Sequence, residues 1–230
     1  MRIAVVDDQP DEVIEIIDGL VASGMACMTY TSGEEVIAAL RRETFDLLIV
    51  DWNMPRVDGL QVMKWAEDNL TDPPPVMILT SRTAKEDVVH ALEAGAADYI
   101  CKPEDAAVVR ARAVSAIRRR SPARRDPQSR FGTFVFDDAT LTVRYGDEAV
   151  ELRNKEFELA RLLFDNLDRP LSRGYILQRV WHTSPDVETR TLDMHVSRIR
   201  TKLGLRAERG FVLKSIFGFG YRLDTCGAAV

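Results

Sequence analysis

Five short apolar runs, each followed by a stretch with helical period, constrain this chain more than any other feature. The runs are Ile3–Val6, Met25–Tyr30, Phe45–Val50, Val76–Thr80 and Ala97–Cys101. The intervening stretches are Asp11–Ala22, Gly33–Arg42, and segments at about 60–69, 85–94 and 105–120. Val13, Ile16, Ile17 and Leu20 share one face of the first, and Val36, Ile37 and Leu40 one face of the second. Apolar runs without polar alternation are strands buried on both faces. Their alternation with helices implies a parallel sheet covered on both sides, and right-handed crossovers leave few other topologies. The first 120 residues are therefore predicted to form a five-stranded, doubly wound α/β domain.

The ends of these runs carry chemistry. Ile3–Val6 runs into Asp7 and Asp8, Leu47–Val50 stops at Asp51, the fourth run ends in Thr80, and the fifth in Lys102-Pro103. In a parallel sheet these ends lie along one edge, where open α/β folds bind ligands. Three converging carboxylates repel one another and call for a cation. Oxygen-only donors suit Mg²⁺, with Asp8 and Asp51 as expected direct ligands and Asp7 acting through water. A carboxylate beside such an ion can attack phosphorus and form an acyl phosphate. Lys102 and Thr80 would supply the charge and hydroxyl that the transferred group's oxygens require. Each residue alone is ordinary in an α/β domain; five of them at four strand ends are not.

Composition narrows the setting. The first 117 residues hold 21 acidic and 10 basic residues, and the rest hold 15 and 21. That asymmetry points to an acidic module joined to one that meets a polyanion. No run approaches the roughly 20 apolar residues a membrane span needs. The N-terminus runs straight into a strand, and three unpatterned cysteines suggest reduced thiols, so a cytoplasmic location is expected. The basic, proline-containing stretch at 121–130 is the expected linker.

Residues 131–225 change character. Phe131–Phe136, Thr140–Tyr145 and Ala149–Leu152 alternate as antiparallel strands do, with a turn at Gly146-Asp147. Helical patterns follow at Lys155–Asn166, Ser172–Val180 and Glu188–Leu203, then a hairpin from Phe211 to Leu223. In the last helix Leu192, Val196, Ile199 and Leu203 form a core stripe. Arg190, Met194, Ser197 and Thr201 point the other way, with Thr191 and Arg198 on the flank. A helix anchored on one side and presenting Arg, Thr and Met on the other suits the major groove of double-stranded DNA.

At these residues the chain resembles a known family. Val5-Val-Asp-Asp, Asp51-Trp-Asn-Met-Pro-x-x-Asp-Gly, Leu79-Thr-Ser and Ala94-Gly-Ala-x-Asp-Tyr-x-x-Lys-Pro look like the flavodoxin-like receiver domain of two-component response regulators. Asn154-Lys-Glu-Phe-Glu-Leu, Val180-Trp, Arg190-Thr-Leu-Asp-Met-His-Val-Ser-Arg-Ile-Arg-x-Lys-Leu and Gly218-Phe-Gly-Tyr-Arg-Leu resemble the winged helix-turn-helix of OmpR/PhoB-type regulators. The resemblance implies a transcriptional regulator rather than an enzyme. Asp51 would accept phosphate from a sensor histidine kinase, the backbone carbonyl of Asn53 would complete the metal site, and Lys102-Pro103 would be cis. Thr80 and Tyr99 match the switch pair, with Tyr99 turning inward after phosphorylation.

The resemblance also implies a homodimer through the fourth helix, fifth strand and fifth helix. Asp98 and Arg112 fit its ion pairs, whereas Val88, Val108 and Ala97 stand at usually charged positions and Glu104 replaces an aromatic. Thr191, Met194 and Arg198 match base-contacting positions. Arg190, His195, Arg200 and Lys202 match phosphate contacts, with a core-edge role equally open for Arg200 and Lys202 and a packed role for His195. Phe217 stands where the wing usually carries an arginine. The turn Trp181–Asp186 matches the surface that meets RNA polymerase. Two rivals stay open: a constitutive DNA-binding regulator with a vestigial receiver, and an aspartyl-phosphate phosphohydrolase. The second would want an acid where Asn53 stands.

Overall fold

The computed structural model describes residues 1–120, 128–182 and 189–226, without the side chains of 120, 128, 189 and 190. The chain divides between residues 123 and 124 into two compact units.

The first unit has five parallel strands: β1 (Arg2–Val6), β2 (Ala26–Tyr30), β3 (Leu47–Val50), β4 (Val76–Thr80) and β5 (Asp98–Cys101), in the order β2-β1-β3-β4-β5. Five helices cover them: α1 (Ile14–Ala22), α2 (Gly33–Leu40), α3 (Gly59–Asn69), α4 (Lys85–Glu93) and α5 (Ala106–Arg120). A 3-10 turn, Pro10–Val13, takes the first turn of the expected first helix, with Pro at its start, where a missing N–H costs nothing. Successive strand residues feed opposite faces. Ile3, Val5, Leu47, Ile49, Met77 and Leu79 pack with Ile16, Leu20, Val109 and Ala113 of α1 and α5. Ala4, Val6, Leu48, Val50, Val76 and Ile78 pack with Val36, Leu40, Val62 and Ala66 of α2 and α3. Thus every position of β3 is apolar, as are those of β1 and β4 apart from Arg2 and Thr80 at their ends.

Caps fix the helix starts near the sheet edge. The Asp58 carboxylate accepts from Gln61 N at 2.8 Å while Gln61 Oε1 accepts from Asp58 N at 2.9 Å. Such a box satisfies two otherwise orphaned donors. Gly59 follows because a Cβ there would lie 2.5 Å from the Asp51 carbonyl oxygen.

The second unit begins with an antiparallel sheet of β6 (Gln128–Phe131), β7 (Phe134–Asp137), β8 (Thr142–Tyr145) and β9 (Glu148–Glu151). Helix α6 (Asn154–Phe164), the short β10 (Leu171–Ser172), α7 (Arg173–Trp181) and α8 (Thr189–Leu203) follow, then β11 (Phe211–Ile216) and β12 (Gly220–Thr225). Residues 128–130, placed by sequence in the linker, belong to β6; the remaining linker residues 121–127 lie outside the described ones. The expected Ser172 cap is present, accepting from Tyr175 N at 3.1 Å, although Ser172 also pairs with β12. One core joins the sheets and helices, with Phe134, Phe136, Phe164 and Phe211 in edge or tilted contact at 5.0–5.6 Å. Truncating such a ring to Ala costs about 3–5 kcal/mol.

Candidate functional site

Register brings the predicted edge residues together. Val6 stands opposite Val50, so Asp7 and Asp51 emerge side by side, and Asp51 N donates to Val6 O at 2.8 Å. Thr80 stands opposite Cys101, and Lys102 N returns to Thr80 O at 2.7 Å. Carboxylate oxygens of Asp7, Asp8 and Asp51 all lie within 4.8 Å of one another. Lys102 Nζ lies 2.5 Å from Asp7, 3.0 Å from Glu12 and 3.8 Å from Asp51. The Lys102-Pro103 bond is cis.

This cluster is short of positive charge. Burial raises the Asp51 carboxyl above the usual range and Asp7 adds to the rise; Lys102, the Thr80 hydroxyl and the Trp52 N–H oppose it. Burial works against charge on Lys102, yet its bonds to Asp7 and Glu12 leave the ammonium harder to deprotonate than usual. Buried Asp8 Oδ1 and Asp51 Oδ1 have no hydrogen-bond donor. Buried polar atoms without partners are rare and call for an explanation, of which a bound ion is one. Two such carboxylate oxygens beside a third acid fit a hard divalent cation, with Asp7, Asp8 and Asp51 as the side chains able to hold it.

Two neighbours stand out only in the structure. Arg82 lies over the Trp52 ring at 4.6 Å, donates to Asn53 Oδ1 at 2.7 Å and pairs with Asp87 at 3.4 Å. Glu12 joins Asp7 on Lys102. Arg82 sits on a loop and Glu12 on the 3-10 turn before α1, where neither strand alternation nor the α-helical period aims a side chain here. Tyr99 is buried and its hydroxyl donates to the Arg82 carbonyl at 2.9 Å. The ring expected to turn inward only after phosphorylation is inward already, edge-on to Trp52.

The expected dimer residues are placed differently from one another. Asp98 and Arg112 pair at 3.1 Å within one chain. Val88 is half-buried, with one side packed against the core that includes Trp52 and Tyr99. The apolar residues that α4 exposes are Val89 and Leu92, and Val108 of α5 is exposed as expected. Ala97 O accepts from Arg119 at 2.8 Å. Glu104 accepts from Asp105 N at 3.0 Å.

In the second unit α8 buries Leu192, Val196, Ile199 and Leu203 and exposes Met194, Ser197, Arg198 and Thr201. Thr191 is half-buried, and its carbonyl contacts His195 Nδ1 at 2.8 Å. The His195 ring packs edge-on against Trp181 at 5.2 Å. Two expected phosphate contacts have other occupations. Arg200 holds the hairpin through Leu213 O at 2.9 Å and Ser215 Oγ at 3.1 Å. Lys202 bonds the buried Glu156 at 2.7 Å. Both lie on the flank of the core stripe, within reach of internal acceptors. The Arg190 side chain and residues 183–186 of the expected polymerase loop lie outside the described residues. Sequence reasoning passed over Asp193, an acid on the outward face, which Arg173 neutralises at 2.8 Å and the Tyr221 hydroxyl caps.

Comparison with known proteins agrees with both units. Residues 3–114 match the response regulator receiver domain, and residues 147–223 match the C-terminal domain of transcriptional regulatory proteins. The chain is 35% identical to the response regulator protein PmrA of Pseudomonas aeruginosa, covering 97% of this chain and 98% of that one. It is 28% identical to the phosphate regulon transcriptional regulatory protein PhoB of the same organism, covering 97% of each. Among solved structures it is similar to DrrB, an OmpR/PhoB homologue of Thermotoga maritima, at 26% identity, TM-score 0.46, and 97% and 98% coverage. The chain thus belongs to the OmpR/PhoB family of response regulators, transcriptional regulators that couple a receiver domain to a DNA-binding effector domain.

Proposed function

We propose that Asp51 is the phosphoacceptor of a switch that controls binding of α8 to double-stranded DNA. One observation carries this reading: Asp51, whose buried Oδ1 has no hydrogen-bond donor, brings a carboxylate oxygen within 4.8 Å of one from each of Asp7 and Asp8, with Lys102 Nζ 3.8 Å from Asp51 Oδ1. A sensor histidine kinase supplies the phosphoryl group. The phosphohistidine N–P bond breaks as the Asp51 oxygen forms its bond to phosphorus, and the imidazole leaves with the electron pair. Mg²⁺, held by Asp7, Asp8, Asp51 and the Asn53 carbonyl, supplies charge neutralisation when bound. Lys102 and the Thr80 hydroxyl orient the equatorial oxygens.

The readout is a population shift. Val89, Leu92, Val108 and the Asp98–Arg112 pair form the face on which a second copy docks. Two effector domains then engage neighbouring half-sites with increased effective concentration. Thr191, Met194 and Arg198 read bases, and each bidentate contact discriminates by about 1–3 kcal/mol. The setting is cytoplasmic, and among the described residues no helix is long and apolar enough to cross a membrane. RNA polymerase is the further partner, through the loop after α7.

The inward Tyr99 favours a second reading, in which the receiver rests in its switched state and DNA binding is independent of phosphate. The test is DNA affinity of wild type and Asp51→Asn with and without an acyl-phosphate donor and Mg²⁺. The first reading expects a gain of tenfold or more, about 1.4 kcal/mol, in wild type only. Equal affinity in all four conditions establishes the second.

A further inference from the structure

One acid at the phosphoacceptor site belongs neither to the metal cluster nor to a strand end. Glu12 Oε2 lies 3.0 Å from Lys102 Nζ, whereas the cluster comprises Asp7, Asp8 and Asp51. The local fold holds it there. Glu12 sits on the 3-10 turn Pro10–Val13, which Pro10 opens with a fixed φ. Glu12 N donates to Gln9 O at 3.0 Å, and Gln9 N donates in turn to Asp7 Oδ1 at 2.9 Å. At the other end Val13, 2% exposed, is anchored in the core shared by α1 and α5. The turn is thus tied to the site on one side and to the core on the other.

The charges at the site then leave a surplus. Ionised Asp7, Asp8 and Asp51 carry three negative charges, and a divalent cation with the Lys102 ammonium supplies three positive ones. Arg82 is matched separately by Asp87. Glu12 is one negative charge beyond that balance. It also engages the ammonium that an incoming phosphoryl group needs. Lys102 Nζ is within hydrogen-bond reach of Asp7 and Glu12 but stands 3.8 Å from Asp51 Oδ1. A cation taken up by the three aspartates leaves the Glu12 hold in place. Because one ammonium reaches both, the Glu12 and Asp51 oxygens lie within about 7 Å of each other. The Glu12 side chain is 46% exposed, so the dielectric of water applies. A unit charge at that range weakens binding of a doubly charged anion about threefold to eightfold at low salt, and strengthens binding of a divalent cation by a similar factor.

We propose that Glu12 is a specificity-determining residue of phosphotransfer, an electrostatic filter that disfavours small free phosphodonors at Asp51 while strengthening the hold on Mg²⁺. This inference rests on the phosphoacceptor reading above. A kinase docked on the receiver presents its phosphohistidine at high effective concentration and tolerates the repulsion; acetyl phosphate arriving from solution does not. In that transfer the bond between phosphorus and the acetyl oxygen breaks, acetate leaves with the electron pair, and the Asp51 oxygen takes the phosphoryl group.

The experiment compares wild type with Glu12→Gln in the full chain. Initial rates with acetyl phosphate at saturating Mg²⁺ give KM and kcat, and isothermal calorimetry without donor gives the Mg²⁺ dissociation constant. Glu12→Gln is expected to lower KM for acetyl phosphate about threefold to eightfold at low ionic strength, with kcat changed less than about twofold. It is expected to raise the Mg²⁺ dissociation constant by a similar factor, and both differences should vanish above about 0.5 M salt. Glu12→Asp, which keeps the charge, should stay within about twofold of wild type. A local distortion weakens donor and metal together, so their opposite movement isolates the charge. The proposal is overturned if Glu12→Gln leaves KM unchanged, if donor and metal weaken together, or if the differences persist at high salt. Failure of wild type to take phosphate at Asp51 sinks the phosphoacceptor reading itself.

Discussion

Lys202→Met separates a structural role from a DNA contact at one position. Glu156 is 1% exposed and accepts from Lys202 Nζ at 2.7 Å and Arg153 N at 3.1 Å. The substitution leaves the backbone donor and removes the cation. Hydrogen bonds to charged groups contribute about 1.5–3 kcal/mol. The Lys202 side chain is 37% exposed, so water replaces part of the loss and the lower end, about 1.5 kcal/mol, applies. For a unit of this size 1 kcal/mol shifts the midpoint by about 4–8 °C, so the C-terminal transition should fall by about 6–12 °C. Adding Glu156→Gln should recover part of that, because an unpaired buried charge is the main cost.

The pH dependence has a definite sign. Burial alone would raise the Glu156 carboxyl, but the Lys202 bond and the Arg153 N–H hold it below its ordinary 4.5. Its stabilisation is therefore complete above pH 4.5 and disappears as pH falls through the folded value. The difference between wild type and Lys202→Met, followed by calorimetry of the full chain, should be largest at neutral pH and shrink in acid. An unchanged midpoint, together with a salt slope of DNA binding reduced by about 0.9, would show that Lys202 holds phosphate instead.

Three more expectations are direct. Asp51 sits above its usual pKa, chiefly through burial, so the folded receiver loses stability as pH rises from 3.8 through the folded value. Asp51→Asn should raise the receiver's thermal midpoint in metal-free neutral buffer, and the gain should vanish toward pH 3.8. Mg²⁺ should stabilise wild type by about 2.7 kcal/mol at a hundredfold excess over its dissociation constant and the Asn variant much less; calorimetry with and without Mg²⁺ reads both effects. Arg82→Ala removes the stack on Trp52 and the bond to Asn53; a loss of about 1 kcal/mol and altered tryptophan emission should appear in urea titrations. Gly220→Ala puts a Cβ 2.1 Å from the Leu171 carbonyl, and should cost about 3 kcal/mol in the denaturant midpoint of the C-terminal unit.

How far the sequence reaches depends on what sets each position. Strand ends were legible because parallel register is fixed by the same apolar runs that mark the strands, which placed Asp7, Asp51, Thr80 and Lys102 together. The outward face of α8 was legible because a core stripe determines its opposite side. Arg200 and Lys202 show the limit: helical phase gives an angle, and only the fold shows whether an internal acceptor lies within reach. Val88 was placed by its match to a family position, which carries no information on burial, and α4 leaves it half-buried beside the exposed Val89. Strand β6 was missed because Gln128-Ser-Arg is polar at a sheet edge and has no apolar alternation to show it. Arg82 escaped because a loop carries it to the site, and Glu12 because it sits on a 3-10 turn where the expected helix phase does not hold.

On the function proposed above, the Asp51 carboxylate takes a phosphoryl group in a magnesium-dependent step. Incubating the full chain with acetyl phosphate and mapping the product by mass spectrometry after borohydride trapping tests it most directly. One adduct at Asp51, lost with EDTA and absent from Asp51→Asn, is the predicted result. No adduct, or an adduct on another residue that forms equally well in Asp51→Asn, would contradict it.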